Sequence, residues 1–199
     1  MVFPAVAWAR RVPLPDGPDL LKLTLAQCKQ FGSDGVEVQG LPASRAEEAG
    51  TMDQPTAEEA LQKLGALVGE WTLEAIPPGG EPWPGEARAT IEWHDSGAHL
   101  VERSSVEMPE APDGISIMGC DAANGTYYQL YSDDRGVCRV YHMSIGDGEW
   151  KLWREGEPFP QRFTGTFQDD GNTIVGRWEL AEDGTNYETD FDLIYRRVK

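Results

Sequence analysis

Between Ser96 and Gly184 the chain is punctuated by six tight-turn signals: Ser96-Gly97, Asn124-Gly125, Asp134-Arg135-Gly136, Asp147-Gly148, Asp170-Gly171 and Asp183-Gly184. Each supplies a residue that tolerates positive φ, as a short hairpin turn requires, and short stretches of alternating apolar and polar residues lie between them. Such a run reads as a meander of antiparallel strands. Left open, a long meander exposes two unpaired edges; closing it on itself removes them. The expected fold is all-β: an antiparallel up-and-down barrel of roughly ten strands.

The region before the first of these turns supplies a helix and two strands. Thr56-Ala57-Glu58-Glu59 has the form of a capping box. Ala60, Leu61, Leu64, Leu67 and Val68 then recur at helical spacing, giving a short helix that can plug one barrel end, weakened by Gly65 and ended at Gly69. Trp71 and Leu73 open the first strand on one face. Ala89, Ile91 and Trp93 share one face of the second. Further strands are expected over residues 100–106, 115–121, 125–132, 137–145, 149–154, 162–168, 173–180 and 186–198.

Turns set register. An Asp170-Gly171 turn places Phe167 opposite Ile174, Phe163 opposite Trp178 and Arg162 opposite Glu179, with the aromatic pairs facing in and the ion pair exposed. An Asp147-Gly148 turn pairs Ile145 with Trp150 and Met143 with Leu152, so Tyr141, Arg139 and Arg154 share the inner face. A turn at Arg135-Gly136 pairs Gln129 with Arg139, adding Gln129 and Tyr131 to that face. His99, Val101, Arg103 and Ser105 share a face assigned inward through the less defined turn at Asp95-Ser96-Gly97.

Residues 1–52 form a separate segment, read as poorly structured apart from a short helix over residues 19–31, with residues 53–199 as the barrel domain. One reading starts translation at Met52. The net charge of -17 falls almost wholly in the barrel region and repels a phosphate backbone or an anionic membrane. No nucleic-acid or membrane partner is expected, and the apolar stretch before Arg10-Arg11 does not have the form of a signal peptide or a membrane helix. Cys28, Cys120 and Cys138 are too few for a disulfide framework; with Cys120 and Cys138 two strands apart, they read as thiols of a reducing cytoplasm.

Several motifs along residues 56–199 carry a resemblance. Gly69-Glu70-Trp71 follows a short helix; Gly119-Cys120-Asp121 precedes Gly125-Thr126-Tyr127; then come Tyr131-Ser132-Asp133-Asp134-Arg135-Gly136, Gln161-Arg162-Phe163-Thr164-Gly165 and the terminal Asp190-Phe191-Asp192-Leu193-Ile194-Tyr195-Arg196. Together they resemble the calycin-like barrels (lipocalins, fatty-acid-binding proteins and nitrobindin), and most of all a bacterial lipocalin-like group of unassigned function. The resemblance implies that Trp71 is covered by Arg196 or Arg197 where the barrel closes. The haem-ligating histidine of nitrobindin-like barrels lies near the end of the barrel, whereas His94, His99 and His142 all come earlier, so no haem or other cofactor is expected. Three scattered histidines do not make a metal site.

The candidate ligand-binding residues are Arg139, Tyr141, Arg154, Tyr131, Gln129, His99 and Arg103. Guanidinium and phenol groups converging in an apolar interior would hold a carboxylate, because charge-assisted hydrogen bonds strengthen where water is excluded. The leading expectation is binding of a small apolar or carboxylate-bearing ligand without chemistry. The alternatives are a barrel lyase or isomerase using His99, Glu102, Tyr131 and Arg139, and an interaction module whose barrel is filled by its own tryptophans. Trp71, Trp93, Trp150 and Trp178 fit core positions, Trp83 a lid, and an outward row of Trp153, Val140 and Leu130 a homodimer patch.

Overall fold

The computed structural model describes residues 56–109, 111–156 and 158–198. The helix expected over residues 19–31, Cys28 and the boundary at residue 52 lie outside them. Thr56 caps α1 (Ala57–Leu64): its hydroxyl accepts from the Glu59 amide at 3.2 Å, and the Glu59 carboxylate accepts from the Thr56 amide at 2.8 Å. The α-helix stops at Gly65 and not at Gly69, because the chain tightens into a 3₁₀ turn over Gly65–Leu67. Ala60, Leu64 and Leu67 are buried, and the Tyr127 hydroxyl donates to the Ala60 carbonyl at 2.8 Å, fastening the helix to one barrel end.

Ten strands follow: β1 (Gly69–Ile76), β2 (Ala87–Trp93), β3 (His99–Val106), β4 (Gly114–Asp121), β5 (Thr126–Asp133), β6 (Cys138–Gly146), β7 (Glu149–Arg154), β8 (Gln161–Gln168), β9 (Thr173–Leu180) and β10 (Glu188–Arg197). Each pairs antiparallel with the next. β10 returns to pair with β1, Trp71 opposite Arg197, so the sheet is a closed barrel without a free edge. Among the described residues no helix is long and apolar enough to cross a membrane.

The late hairpins have the expected register. Phe167 faces Ile174 and Phe163 faces Trp178, while Arg162 and Glu179 form a two-pronged ion pair at 2.7 and 2.9 Å on the outside. Ile145 stands opposite Trp150 and Met143 opposite Leu152. Between β5 and β6 the register differs by two residues: Gln129 faces Tyr141, and Tyr131 faces Arg139. Asp133 explains the difference. Its carboxylate accepts from the Arg135 and Val137 amides, and its own amide donates to the Val137 carbonyl, which lengthens the loop. A shift of two preserves the face of every side chain.

The β2–β3 turn corrects the reading of β3. The His94 amide bonds the His99 carbonyl at 3.0 Å, placing His99 opposite a residue on the outer face of β2. Leu100, Glu102 and Ser104 therefore share the inner face with Ile91 and Ala89, and His99 and Arg103 lie outside. The His99 ring stacks on His94 with centroids 4.5 Å apart, and Arg103 pairs with Glu92 at 2.7 Å. Trp93 is likewise not a core residue. It shares the phase of Ile91 but sits at the end of β2, 36% exposed.

The helix-capped half of the barrel is filled by its own side chains. Trp71, Leu100, Met118, Trp150, Phe163 and Ile174 are all at most 1% exposed, and Trp150 meets Phe163 and Tyr195 edge to face at 5.1 and 5.8 Å. Gly165 and Gly176 stand opposite each other and leave the space that Phe163 occupies: a Cβ on Gly176 would lie 2.3 Å from Phe163 Cε2.

The seam is locked by Arg197. Its guanidinium lies 4.1 Å over the Trp71 ring and donates to the carbonyls of Val68, Ala66 and Gly171. Trp71 Nε1 donates to the Leu67 carbonyl at 2.9 Å. Gly69 adopts φ +148°, and a Cβ there would collide with the Arg197 guanidinium, which accounts for the glycine of the Gly-x-Trp sequence. Arg196 points outward, 3.5 Å from Glu74.

Candidate ligand site at the open end of the barrel

Polar side chains gather in the half of the barrel away from α1. β6 starts and β7 ends at this mouth, so alternation directs Arg139, Tyr141 and Arg154 inward, while β8 contributes Gln161 opposite Arg154. Gln161 is the junction. Its Oε1 accepts from Arg139 Nη1 at 2.6 Å and from the Tyr141 hydroxyl at 3.0 Å. Those two donors fix the orientation of the amide, and its Nε2 is buried with no hydrogen-bond acceptor among the described residues.

The loop between β7 and β8 folds over this cluster. The Phe159 carbonyl accepts from Arg154 at 3.2 Å, and the Phe159 ring lies 5.6 Å from the Arg139 guanidinium. Trp178 meets Tyr141 edge to face at 5.5 Å. Trp83, in the Pro-rich β1–β2 loop, lies against Phe191 of β10 at 5.3 Å and is 36% exposed. A register shift between Thr189 and Phe191 of β10 brings Asp190 to the same side of the barrel.

The electrostatics of these groups are mutual. Burial lowers the Arg154 pKa, Tyr141 opposes that fall and the Arg139 charge adds to it. Burial raises the Tyr141 pKa, the two arginines hold it back and Asp190 adds to the rise. Both phenols here are neutral donors at physiological pH, since burial and the Asp133 carboxylate push Tyr131 far up as well. Tyr131 donates to Asp133 at 2.9 Å, which also binds Arg135 at 2.6 Å.

A second buried polar group lines the wall formed by β3, β4 and β5. Gln129 Nε2 donates to the Ser116 hydroxyl at 3.2 Å, and its Oε1 is buried without a donor among the described residues. Burial pushes the neighbouring Glu102 carboxyl up, opposed by its hydrogen bond with Ser116. Burial thus favours the protonated form of Glu102, with Ser116 as its polar contact.

The structure brings together Arg139, Tyr141 and Arg154 at the mouth, with Gln129 and Tyr131 on the adjoining inner face of β5. It does not bring His99 or Arg103 to them. The acid–base set of His99, Glu102, Tyr131 and Arg139 is accordingly not assembled. Arg103 instead borders an outer groove of about 610 Å³ across β2–β5, where Arg88 and Arg103 are already paired with Glu86 and Glu92. Sequence reasoning missed Gln161, Phe159 and Asp190. Gln161 was accessible from the alternation that puts Phe163 inside, whereas Phe159 and Asp190 depend on a loop path and a bulge with no local signal. Among the described residues, no three His, Cys, Asp or Glu side chains converge to hold a metal ion.

Fold and site together define a small closed ten-stranded antiparallel barrel, capped by one helix, with two arginines inside its open end. No known protein family matches the chain, and no curated protein matches it. Among solved structures, the crystal structure of Rv2717c from M. tuberculosis is similar with a TM-score of 0.51 at 13% identity, covering 70% of this chain and 98% of that one. At that identity it shares the fold alone. A protein of unknown function from the DUF3598 family (Npun_R4044) of Nostoc punctiforme PCC 73102 matches over 70% of this chain and 99% of its own at 8% identity, but its TM-score of 0.22 carries no argument.

Proposed function

We propose that this protein binds a small organic anion, a carboxylate on an apolar or aromatic body, in the open half of its barrel and does not transform it. The observation that carries this reading is the Gln161 amide: its oxygen is held by Arg139 and Tyr141, and its buried Nε2 has no acceptor among the described residues. A ligand carboxylate could accept from that amide and from the guanidinium groups beside it. Charge-assisted bonds of this kind contribute about 1.5–3 kcal/mol each. Phe159, Trp178 and Phe191 supply apolar surface for the body, and Trp83 a cover. This agrees with the ligand-carrying role that the resemblance to calycin-like barrels implies. The same reading places the protein in a reducing cytoplasm, where Cys120 and Cys138, free in the structure, remain thiols.

The packed helix-capped half favours one element of the filled-barrel reading and limits the ligand to the outer half. The test is native mass spectrometry of protein purified from its own host, followed by titration calorimetry with aryl and short-chain carboxylates and the matching alcohols. A stoichiometric acid, or binding of carboxylates but not alcohols, is expected. Equal affinity for acids and alcohols, or no binding of either, overturns the proposal.

A further inference from the structure

The outer faces of β4, β5, β6 and β7 carry six of the ten large apolar side chains exposed among the described residues: Ile115, Ile117, Tyr128, Leu130, Val140 and Trp153. They are contiguous. Ile117 stands opposite Leu130, and Leu130 opposite Val140, forming one row; Tyr128, His142 and Trp153 form the next, with the His142 ring stacked on Trp153 at 5.7 Å. Val140, at the β6 end of its row, is 57% exposed. No acidic side chain stands in either row, although the chain holds 34 acidic residues and only 17 lysines and arginines.

From this we infer that the β4–β7 face is a self-association surface, and that its occupant is a second copy of this chain. Six side chains, each about two-fifths exposed or more, offer apolar area on the order of 500 Å², at the upper end of what a monomer leaves in one patch. A stable dimer buries ~800 Å² per partner, which this apolar centre reaches with the polar residues bordering it, such as Ser132 and Cys138. Charge selects the geometry. At a net charge of -17 two copies repel across most approaches, and a basic partner would be drawn to the acidic surfaces in preference to this neutral one. The two central rows are free of acids, with Asp121 at the end of β4 and Glu149, paired with Lys151 at 2.6 Å, at the margin of the face; there two such chains can meet, and one patch facing itself across a two-fold axis forms a closed isologous contact.

Sedimentation velocity of the full chain over a concentration series tests this. The expected result is a species of twice the 22.0 kDa chain mass that dissociates on dilution, and its loss in Val140→Glu with unchanged circular dichroism and the melting temperature of the diluted wild type. Ile117→Lys, on a neighbouring strand of the same row, gives the same answer should Val140→Glu not fold. A wild-type chain that stays monomeric at every concentration overturns the inference, as does a dimer that survives both substitutions.

Discussion

The guanidinium of Arg197 lies 4.1 Å above the indole of Trp71, and the two residues are opposite each other in the β1–β10 pairing that closes the barrel. One contact thus joins the first strand to the last. Arg197→Ala removes a cation–π contact and leaves three carbonyl acceptors unmet, a loss of about 2–4 kcal/mol. Arg196→Ala, which removes a solvent-exposed pair, is expected to change stability by less than about 0.5 kcal/mol. Urea midpoints of the two variants check this; equal shifts would mean that the seam does not depend on Arg197.

Gly176 lies on the inner face of β9 and Gly119 on the outer face of β4, opposite His99 and Tyr128, and they differ in what surrounds them. A Cβ on Gly176 would stand 2.3 Å from Phe163 Cε2 and 2.9 Å from the Leu193 carbonyl oxygen, whereas one on Gly119 would meet only His99 Cβ at 3.7 Å. Gly176→Ala should lower stability by about 1–3 kcal/mol through overpacking. Gly119→Ala should be tolerated. Thermal melts of the pair give the comparison.

Glu102 makes stability depend on pH in a defined direction. Burial raises its folded pKa above the ordinary value of 4.5, so the folded protein keeps the proton that the unfolded chain releases. Its contribution is unfavourable and appears as pH rises: absent below about 4.5, it grows through the folded pKa and then levels off. Glu102→Gln should therefore match the wild type in acid and exceed it at neutral pH. Denaturation of both proteins across pH 4 to 8 reads the difference; a constant offset would show that burial does not raise the pKa of this carboxyl.

Ligand affinity should follow the amide junction at the mouth. Arg139→Met is expected to weaken carboxylate binding by about 10- to 100-fold, the equivalent of ~1.5–3 kcal/mol for a charge-assisted bond. Gln161→Glu places a carboxylate beside Arg139 and Tyr141, neutralising one cation and repelling an anionic ligand, so it should abolish binding while retaining the barrel. Calorimetry with the best carboxylate identifies both effects. Unchanged affinity in either variant removes that residue from the site.

Much of the scaffold could be read before any coordinates, and the reasons are local. A turn between Met143 and Leu152 at Asp147-Gly148 sets that hairpin because the positive-φ residues allow few alternatives; Asp147 adopts φ 53° and Gly148 φ 78°. Phe163, Trp178, Phe167 and Ile174 then face in because a strand has a period of two. The Thr56 cap and the Ala60, Leu64, Leu67 stripe were legible on the same grounds. His99 was misplaced because the turn before it is weakly specified, and moving a strand by one residue exchanges its two faces. Arg139 and Gln129 were put on the correct face although their pairing was off by two.

The sequence by itself determined the number of strands, the helix that plugs one end and the inward set Arg139, Tyr141 and Arg154, since turn chemistry and alternation act over a few residues. Only the tertiary structure decided that Arg197 and not Arg196 covers Trp71, that Glu102 and not His99 lines the interior, and that Gln161 links two strands through one buried amide. Those outcomes depend on closure between residues more than a hundred positions apart, on a bulge in β10 and on loop paths across the mouth. No local periodicity encodes them, because the partner that selects each side chain's environment lies on another strand.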